Sequence, residues 1–236
     1  MNFENRYKNG EYETSNPTWG EEDSYWKAVM IKNIVKKNSI NPSQIIEVGC
    51  GSGAILENLQ VEFGKTNFIG YDISPQAIKL AQSRGNKIIF FEKDFLIDKS
   101  NIFTDLLLVI DVIEHVQDYY YFLNSIKSRS KFFVFHIPLD ISCRTILKPH
   151  VNLQQRTSVG HIHYFSEENV WWMLNDCGYI INDWHYTKPT IDVVRPKSIK
   201  QAVKKCLRNI SYFISKKWSV KIWGGYSLLI LAENNE

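Results

Sequence analysis

The 236-residue sequence predicts an α/β fold, a doubly wound and mostly parallel sheet with helices on both faces. Two observations predict it. Short apolar runs of strand length alternate along the chain with segments of helical periodicity. The first run, Ile45-Ile46-Glu47-Val48, ends in the glycine-rich turn Gly49-Cys50-Gly51-Ser52-Gly53, which is how an open α/β sheet builds a nucleotide-binding crevice.

The elements follow in order. Residues 1–20 are polar and aromatic, with Asn16-Pro17-Thr18-Trp19-Gly20 as a turn. From Glu21 to Lys37, Tyr25, Trp26, Val29, Met30, Ile34 and Val35 recur at helical spacing. The first strand spans Gln44 to Val48 and its helix 54–63. A second strand is expected at 67–71, and then a helix at 74–83 with Ser74 as N-cap and Pro75 at its first position. Strands are expected at 87–91, 105–110 and 131–137, the last two separated by a tyrosine-rich helix at 118–128. Residues 138–158 lack periodicity and read as a loop with a short helix over the ligand crevice. A helix at 166–177 is bounded by Ser166 and Gly178, and strands at 179–186 and 226–233 close the chain. The whole reads as one domain over residues 1–236: an N-terminal segment and helix (1–40), a candidate lid (138–165) and a helical insertion (193–223).

Composition narrows the function classes. A net charge of +3 makes no general case for nucleic acid. With no apolar run of about 18 residues and no signal-peptide design at Met1 to Arg6, a cytoplasmic location is expected. Cys50, Cys143, Cys177 and Cys206 form no C-x-x-C pair and read as free thiols.

The glycine spacing alone leaves the ligand open. Gly49, Gly51 and Ala54 satisfy the G-x-G-x-x-G/A dinucleotide pattern, which permits an NAD-dependent oxidoreductase. Glu47, two residues before the first glycine, instead suits a ligand carrying an ammonium group and no phosphate, such as S-adenosylmethionine. Glu47-Val48-Gly49-Cys50-Gly51-Ser52-Gly53 resembles the first motif of class I S-adenosylmethionine-dependent methyltransferases. Ile69-Gly70-Tyr71-Asp72-Ile73-Ser74, Phe90-Phe91-Glu92-Lys93-Asp94-Phe95 and the run from Leu106 to Val116 resemble its later motifs, in the family's order.

The resemblance implies a Rossmann-like seven-stranded sheet with an antiparallel last strand. It also implies S-adenosylmethionine as cofactor, held by Glu47, Gly49, Cys50, Gly51, Asp72, Ile73, Asp94, Phe95, Asp111 and Val112, with Asp72 on the ribose and Asp94 at the adenine. Asn5-Arg6-Tyr7-Lys8-Asn9-Gly10 resembles the lead segment of bacterial methyltransferases that accompany glycan or secondary-metabolite pathways. This points to methyl transfer onto an oxygen or nitrogen of a small-molecule or glycan-linked acceptor. No Asn/Asp-Pro-Pro-Tyr/Phe sequence follows the fourth strand, which argues against methylating a DNA base. A scaffold that binds the cofactor without catalysis is the remaining alternative.

An acceptor that must lose a proton needs a base, and histidine suits neutral pH. His161 and His115 are the candidates, while His136, inside an apolar strand, reads as a hydrogen-bonded core residue. Alternation places His161 and His163 on one side of an extended segment, where one of them could serve only to pin the loop. Asp111-x-x-Glu114-His115 also resembles the E-x-x-E-H pattern of methyltransferases that hold a divalent ion, with His161 or His163 as a further ligand; a metal-free site is the expectation. Tyr7, Tyr12, Trp19, Trp171 and Trp172 and the tyrosines after Asp118 offer aromatic surface for substrate or core.

Residues 193–232 carry no acidic residue, and basic side chains interleave there with Ile199, Val203, Leu207, Ile210, Phe213 and Ile214 at helical spacing. This basic amphipathic helix, over about 197–218, is expected either to pack on the sheet with a solvated basic face or to meet an anionic membrane or lipid-linked substrate. Trp218 and Trp223 could stack on bases, but nothing else resembles an RNA-binding module.

Overall fold

The computed structural model describes residues 3–85, 87–98 and 102–234; Met1 and Asn2, part of the leader reading, lie outside them. Two short helices, α1 (Asn5–Lys8) and α2 (Glu11–Ser15), precede α3 (Glu21–Lys37). The alternating region then runs β1 (Gln44–Val48), α4 (Ala54–Glu62), β2 (Asn67–Asp72), α5 (Pro75–Gln82), β3 (Ile89–Glu92), β4 (Thr104–Ile110), α6 (Tyr119–Lys127) and β5 (Ser130–Leu139). The remainder is α7 (Cys143–Leu147), α8 (His150–Ser158), α9 (Glu167–Asp176), β6 (Tyr179–Thr187), α10 (Pro189–Asp192), α11 (Ile199–Ile214), α12 (Lys216–Trp223) and β7 (Tyr226–Asn234).

The seven strands form one sheet in the order β3-β2-β1-β4-β5-β7-β6. Pairing is parallel except for β7, which enters antiparallel between β5 and β6. The winding direction reverses between β1 and β4, so their carboxyl ends flank a crevice where open α/β sheets bind ligands. One face is sealed by Ile31, Ile34 and Val35 of α3 with Leu56 and Leu59 of α4. The other is sealed by Leu123 and Ile126 of α6 with Val170, Met173 and Leu174 of α9.

Most expected elements lie within a residue or two of their positions, because their caps are local: Ser74 Oγ accepts from Ala77 N, and Ser166 and Asn169 form a reciprocal capping box. Two regions differ. The 138–158 loop contains two helices, the first started by a Ser142–Thr145 capping box; at five residues α7 is too short to show periodicity. Residues 197–218 form not one helix but two, broken at Ser215, whose extended backbone ends α11 and whose hydroxyl caps α12. Within α11 the burial is opposite to that of a helix packed on a sheet: Arg208 is its buried residue, while Ile199, Phe213 and Ile214 face outward.

Gly70 of β2 has no room for a side chain. A Cβ there would lie 2.7 Å from the Phe90 ring and 2.8 Å from Cys50 Sγ. Gly70→Ala is expected to destabilise the fold by about 1–3 kcal/mol, as overpacked cores do. Urea unfolding measures it, and an unchanged midpoint would contradict this packing.

Candidate functional site

At the carboxyl ends of β1, β2, β4 and β5 lies a cavity of about 670 Å³. The turn after β1 forms its rim. Gly49, Gly51 and Gly53 all adopt left-handed backbone, and a Cβ on Gly49 would come within 2.5 Å of Val112. The Gly49 and Cys50 N–H groups donate to Tyr71 O at 2.7 and 3.0 Å, tying the turn to β2. Asp72 then accepts from Gly51 N at 2.9 Å and Ser74 N at 2.8 Å. Burial raises its pKa, and these donors oppose the rise. Asp94 caps the short turn at Phe95 by accepting from Leu96 N at 2.8 Å, and the Phe95 ring packs edge-on against Tyr71.

Glu47 is buried on this rim, and its Oε2 has no hydrogen-bond partner. Burial pushes its pKa well above the usual carboxylate range, with Lys27 acting in the opposite sense. An unanswered carboxylate facing a cavity is costly unless a donor or cation arrives to meet it.

Asp111 sits at the end of β4, in left-handed backbone that non-glycine residues seldom adopt. Two cationic or donor groups hold it: Lys27 Nζ lies 2.8 Å from Oδ2, and His136 Nδ1 lies 2.6 Å from Oδ1. Lys27 also meets Asp23 at 2.9 Å, and His136 Nε2 meets Thr187 Oγ1 at 2.8 Å. Burial disfavours the charge on Asp111, but His136 and Lys27 outweigh it and hold the carboxyl far below its usual range. His136 is the hydrogen-bonded residue its strand position suggested, although it also lines the cavity.

The third polar group is Glu114, His115 and His161. Gly160 O, which can only accept, lies 3.1 Å from His115 Nδ1, and the Tyr7 hydroxyl lies 2.9 Å from it. Asp140 Oδ2 lies 2.7 Å from His161 Nδ1. These partners place the proton on Nδ1 of both rings and leave each Nε2 as an acceptor. The two Nε2 atoms stand 3.9 and 4.0 Å from Glu114 Oε1. Glu114 is fully buried and neither oxygen has a partner. Burial, then Asp111, raises its pKa well above the ordinary range; burial, then His161, lowers that of His115 to about 4. The ligand atoms of the three lie within 4.8 Å of one another, a spacing that could hold a metal ion. Asp111 does not join them, because Lys27 and His136 occupy both of its oxygens.

His163 takes a different place. Its Nε2 donates to Gln117 O at 3.2 Å and its ring stands edge-on to Tyr119, outside the cavity lining. The segment 160–165 pairs with no strand, so two-residue alternation does not apply to it. The backbone N–H groups of Ile162 and His163 donate to Glu114 O, which pins the segment to the end of β4.

The cavity roof comes from the amino terminus. Tyr7, Tyr12 and Trp19 stack in sequence at 4.9 and 4.8 Å and line the cavity. Arg6 donates to Arg156 O and Thr157 O, and Asn16 to Ser158 O, clamping α1 and α2 to the end of α8. Trp171 and Trp172 lie elsewhere, the first on Trp184 and the second exposed. All twelve residues expected for cofactor or catalysis line this cavity. Sequence reasoning missed Lys27 and Asp140, which carry no motif; an isolated lysine on the half-apolar face of the first long helix was the available sign of the former.

The family described as a methyltransferase domain matches residues 26–183. This chain belongs to that family. The match decides between the two classes the glycine spacing left open, in favour of a methyltransferase over a nicotinamide-dependent oxidoreductase. This methyltransferase domain is 38% identical over 47 residues to Rv1506c of Mycobacterium tuberculosis (strain ATCC 25618 / H37Rv), whose name assigns it provisionally to the methyltransferases. The match spans 20% of this chain and 28% of that protein's length.

Among solved structures, the methyltransferase complexed with the Haloferax volcanii Trm112 activator superposes with a TM-score of 0.67 at 15% identity, covering 100% of this chain and 98% of that one. Magnesium protoporphyrin IX methyltransferase from Synechocystis PCC 6803, with bound S-adenosylhomocysteine, gives 0.61 at 15% identity over 89% and 83%. The N-methyltransferase NodS from Bradyrhizobium japonicum WM9 gives 0.55 at 16% identity over 88% and 85%. These likenesses establish the class I methyltransferase fold.

The raised pKa of Glu114 has a definite sign for stability. Folding holds its proton above the unfolded value of about 4.3, so any adverse effect is absent below that pH and grows as pH rises. Glu114→Gln is expected to stabilise the protein by about 1–3 kcal/mol at pH 8. At pH 4 the change should vanish. Thermal melts at the two pH values measure the difference, and a destabilised variant at pH 8 would show that the carboxylate is answered in solution.

Proposed function

We propose that this protein transfers the methyl group of S-adenosylmethionine to an oxygen or nitrogen of a small-molecule or glycan-linked acceptor. The observation that carries the reading is the partnerless Oε2 of Glu47 beside the glycine rim, in a cavity that His115 and His161 also line. Glu47, Gly49, Cys50 and Gly51 would hold the amino-acid end of the cofactor, where an ammonium group answers the orphan oxygen. Asp72 and Ile73 would hold the ribose, Asp94 and Phe95 the adenine, and Asp111 and Val112 the floor. The cofactor supplies a methyl carbon whose bond to sulfur breaks as the bond to the acceptor forms, leaving a neutral thioether.

The chain's own residues then have two tasks. Tyr7, Tyr12 and Trp19 exclude water and confine the acceptor, which is where orientation supplies much of the rate. His115, whose pKa burial and then His161 lower to about 4, and His161, whose Nδ1 is held by Asp140, would offer Nε2 for the acceptor's proton.

A second reading rests on Glu114. Its two partnerless oxygens and the two Nε2 atoms are spaced to close on a divalent cation that would orient acceptor hydroxyls. Asp140 and Gly160 O on the Nδ1 atoms are the outer partners that ligating histidines usually have.

Calorimetric titration should give micromolar binding of S-adenosylmethionine and its demethylated product, no binding of NAD, and at least a tenfold loss in Asp72→Ala. On an acceptor panel, His161→Ala and His115→Ala should each lower kcat by about 10²–10⁴-fold with cofactor affinity preserved. Tight binding with no turnover on any acceptor would favour a non-catalytic scaffold. Turnover abolished by a chelator and restored by a divalent ion would favour the second reading.

A further inference from the structure

The insertion before β7 and the segment after β5 share two properties that the cavity does not use. Neither residues 141–166 nor residues 193–232 contain an aspartate or a glutamate, and both carry exposed large apolar side chains among lysines and arginines. On α11 and α12 the outward residues include Ile199 (85% exposed), Phe213 (90%), Ile214 (78%) and Trp218 (65%), and on α7 Leu147 (81%). α12 packs beside both α7 and α11, so the three helices that carry these residues are neighbours on the surface. Among the described residues, no helix is long and apolar enough to cross a membrane.

The cations of the two segments converge. Arg144 of α7 and Lys148 just after it lie near Lys204 of α11, as do Lys200 and Arg208; partial burial, then these four neighbours, lowers the Lys204 pKa. Arg208 is buried, with Nη2 donating to Trp223 O and Gly224 O at 2.9 Å and with Nε unpartnered. Neither segment supplies a carboxylate to answer this charge. A helix with an outward apolar stripe, basic flanks and little net hydrophobicity is the form that lies in a bilayer interface. The stripe would sit among the acyl chains, and the cations would meet lipid phosphates.

A second copy of this chain is a poor occupant. A twofold interface would set the same face against itself and bring its arginines and lysines together, with Glu168 of α9 already engaged by Lys221. We propose that the face formed by α7, α11 and α12 docks on an anionic phospholipid bilayer and presents the cavity to an acceptor anchored there. The link to the cavity is covalent and short: α8 follows α7 directly, contributes Gln155 to the cavity wall and leads into Gly160 and His161. The acceptor class rests on the methyl-transfer reading; the docking does not.

Flotation of the full chain with vesicles tests the docking. One set is phosphatidylcholine alone and the other contains 30 mol% phosphatidylglycerol, each at 0.1 and 0.5 M NaCl. Binding at least tenfold stronger to the anionic vesicles, weakened by the higher salt, is expected. Phe213→Glu with Trp218→Glu, both on exposed positions, should cut that binding at least tenfold while circular dichroism and the calorimetric affinity for S-adenosylmethionine stay unchanged. Equal binding to both vesicle types, or none, would overturn the proposal. So would light scattering that shows a dimer lost in the double variant, which would make the occupant a second copy. Displacement from vesicles by millimolar inorganic phosphate at constant ionic strength would overturn it too, by assigning the cations to a soluble phosphate. Vesicle binding without cofactor binding would leave the docking standing and remove the methyl-transfer reading.

Discussion

The chain of contacts from Asp23 through Lys27, Asp111 and His136 to Thr187 is the constraint on which the cavity depends. It links α3, the end of β4, the middle of β5 and the end of β6, four elements that sequence separates by up to 164 positions. Asp111 is held there in left-handed backbone, a conformation that persists only where surrounding contacts over-determine it. Removing either partner would leave a charge in a largely enclosed site without compensation, which is why such chains break at a higher free-energy loss than their net contribution suggests. This side of the cavity is therefore cross-linked by ion pairs and hydrogen bonds to four elements.

Three residues beyond Asp111, Glu114 meets the opposite environment. Asp111 has a lysine and a histidine that hold its pKa down; the Glu114 carboxyl has no hydrogen-bond partner, is fully buried, and faces the field of Asp111 itself. Two carboxyl groups three positions apart thus have pKa values pushed in opposite directions, by environment and not by residue type. The division sets the ion-paired Asp111 apart from Glu114, beside which the Nε2 atoms of His115 and His161 stand. Asp140 and Gly160 O fix those rings from behind, so two cavity-lining rings are positioned by residues that do not line the cavity.

The roof depends on weaker links. α1 and α2 are each at most five residues long and reach the rest of the molecule through Arg6, Asn16 and the Tyr7–His115 contact. Helices of that length have no independent stability, so their order follows from the clamp to α8. Because α8 descends from α7, and α7 touches α12, the roof, the segment over the cavity and the basic insertion form one continuous surface.

Sequence by itself determined the sheet and the cofactor side of the cavity. Strand periodicity, the Ser74-Pro75 cap and the three left-handed glycines are local properties, written in neighbouring residues, and they appear where local reasoning put them. What tertiary structure decided was nonlocal. Lys27 gained its role from Asp111, 84 residues away, and Asp111 was thereby withdrawn from a metal set that its spacing to Glu114 had allowed. His161 and His163 were equivalent in an alternating strand, but their segment joins no sheet, so Asp140 and Tyr119 drew them to different places. The direction of α11 was decided last: amphipathic periodicity shows that a helix has two faces, and only packing determines which of them the protein keeps.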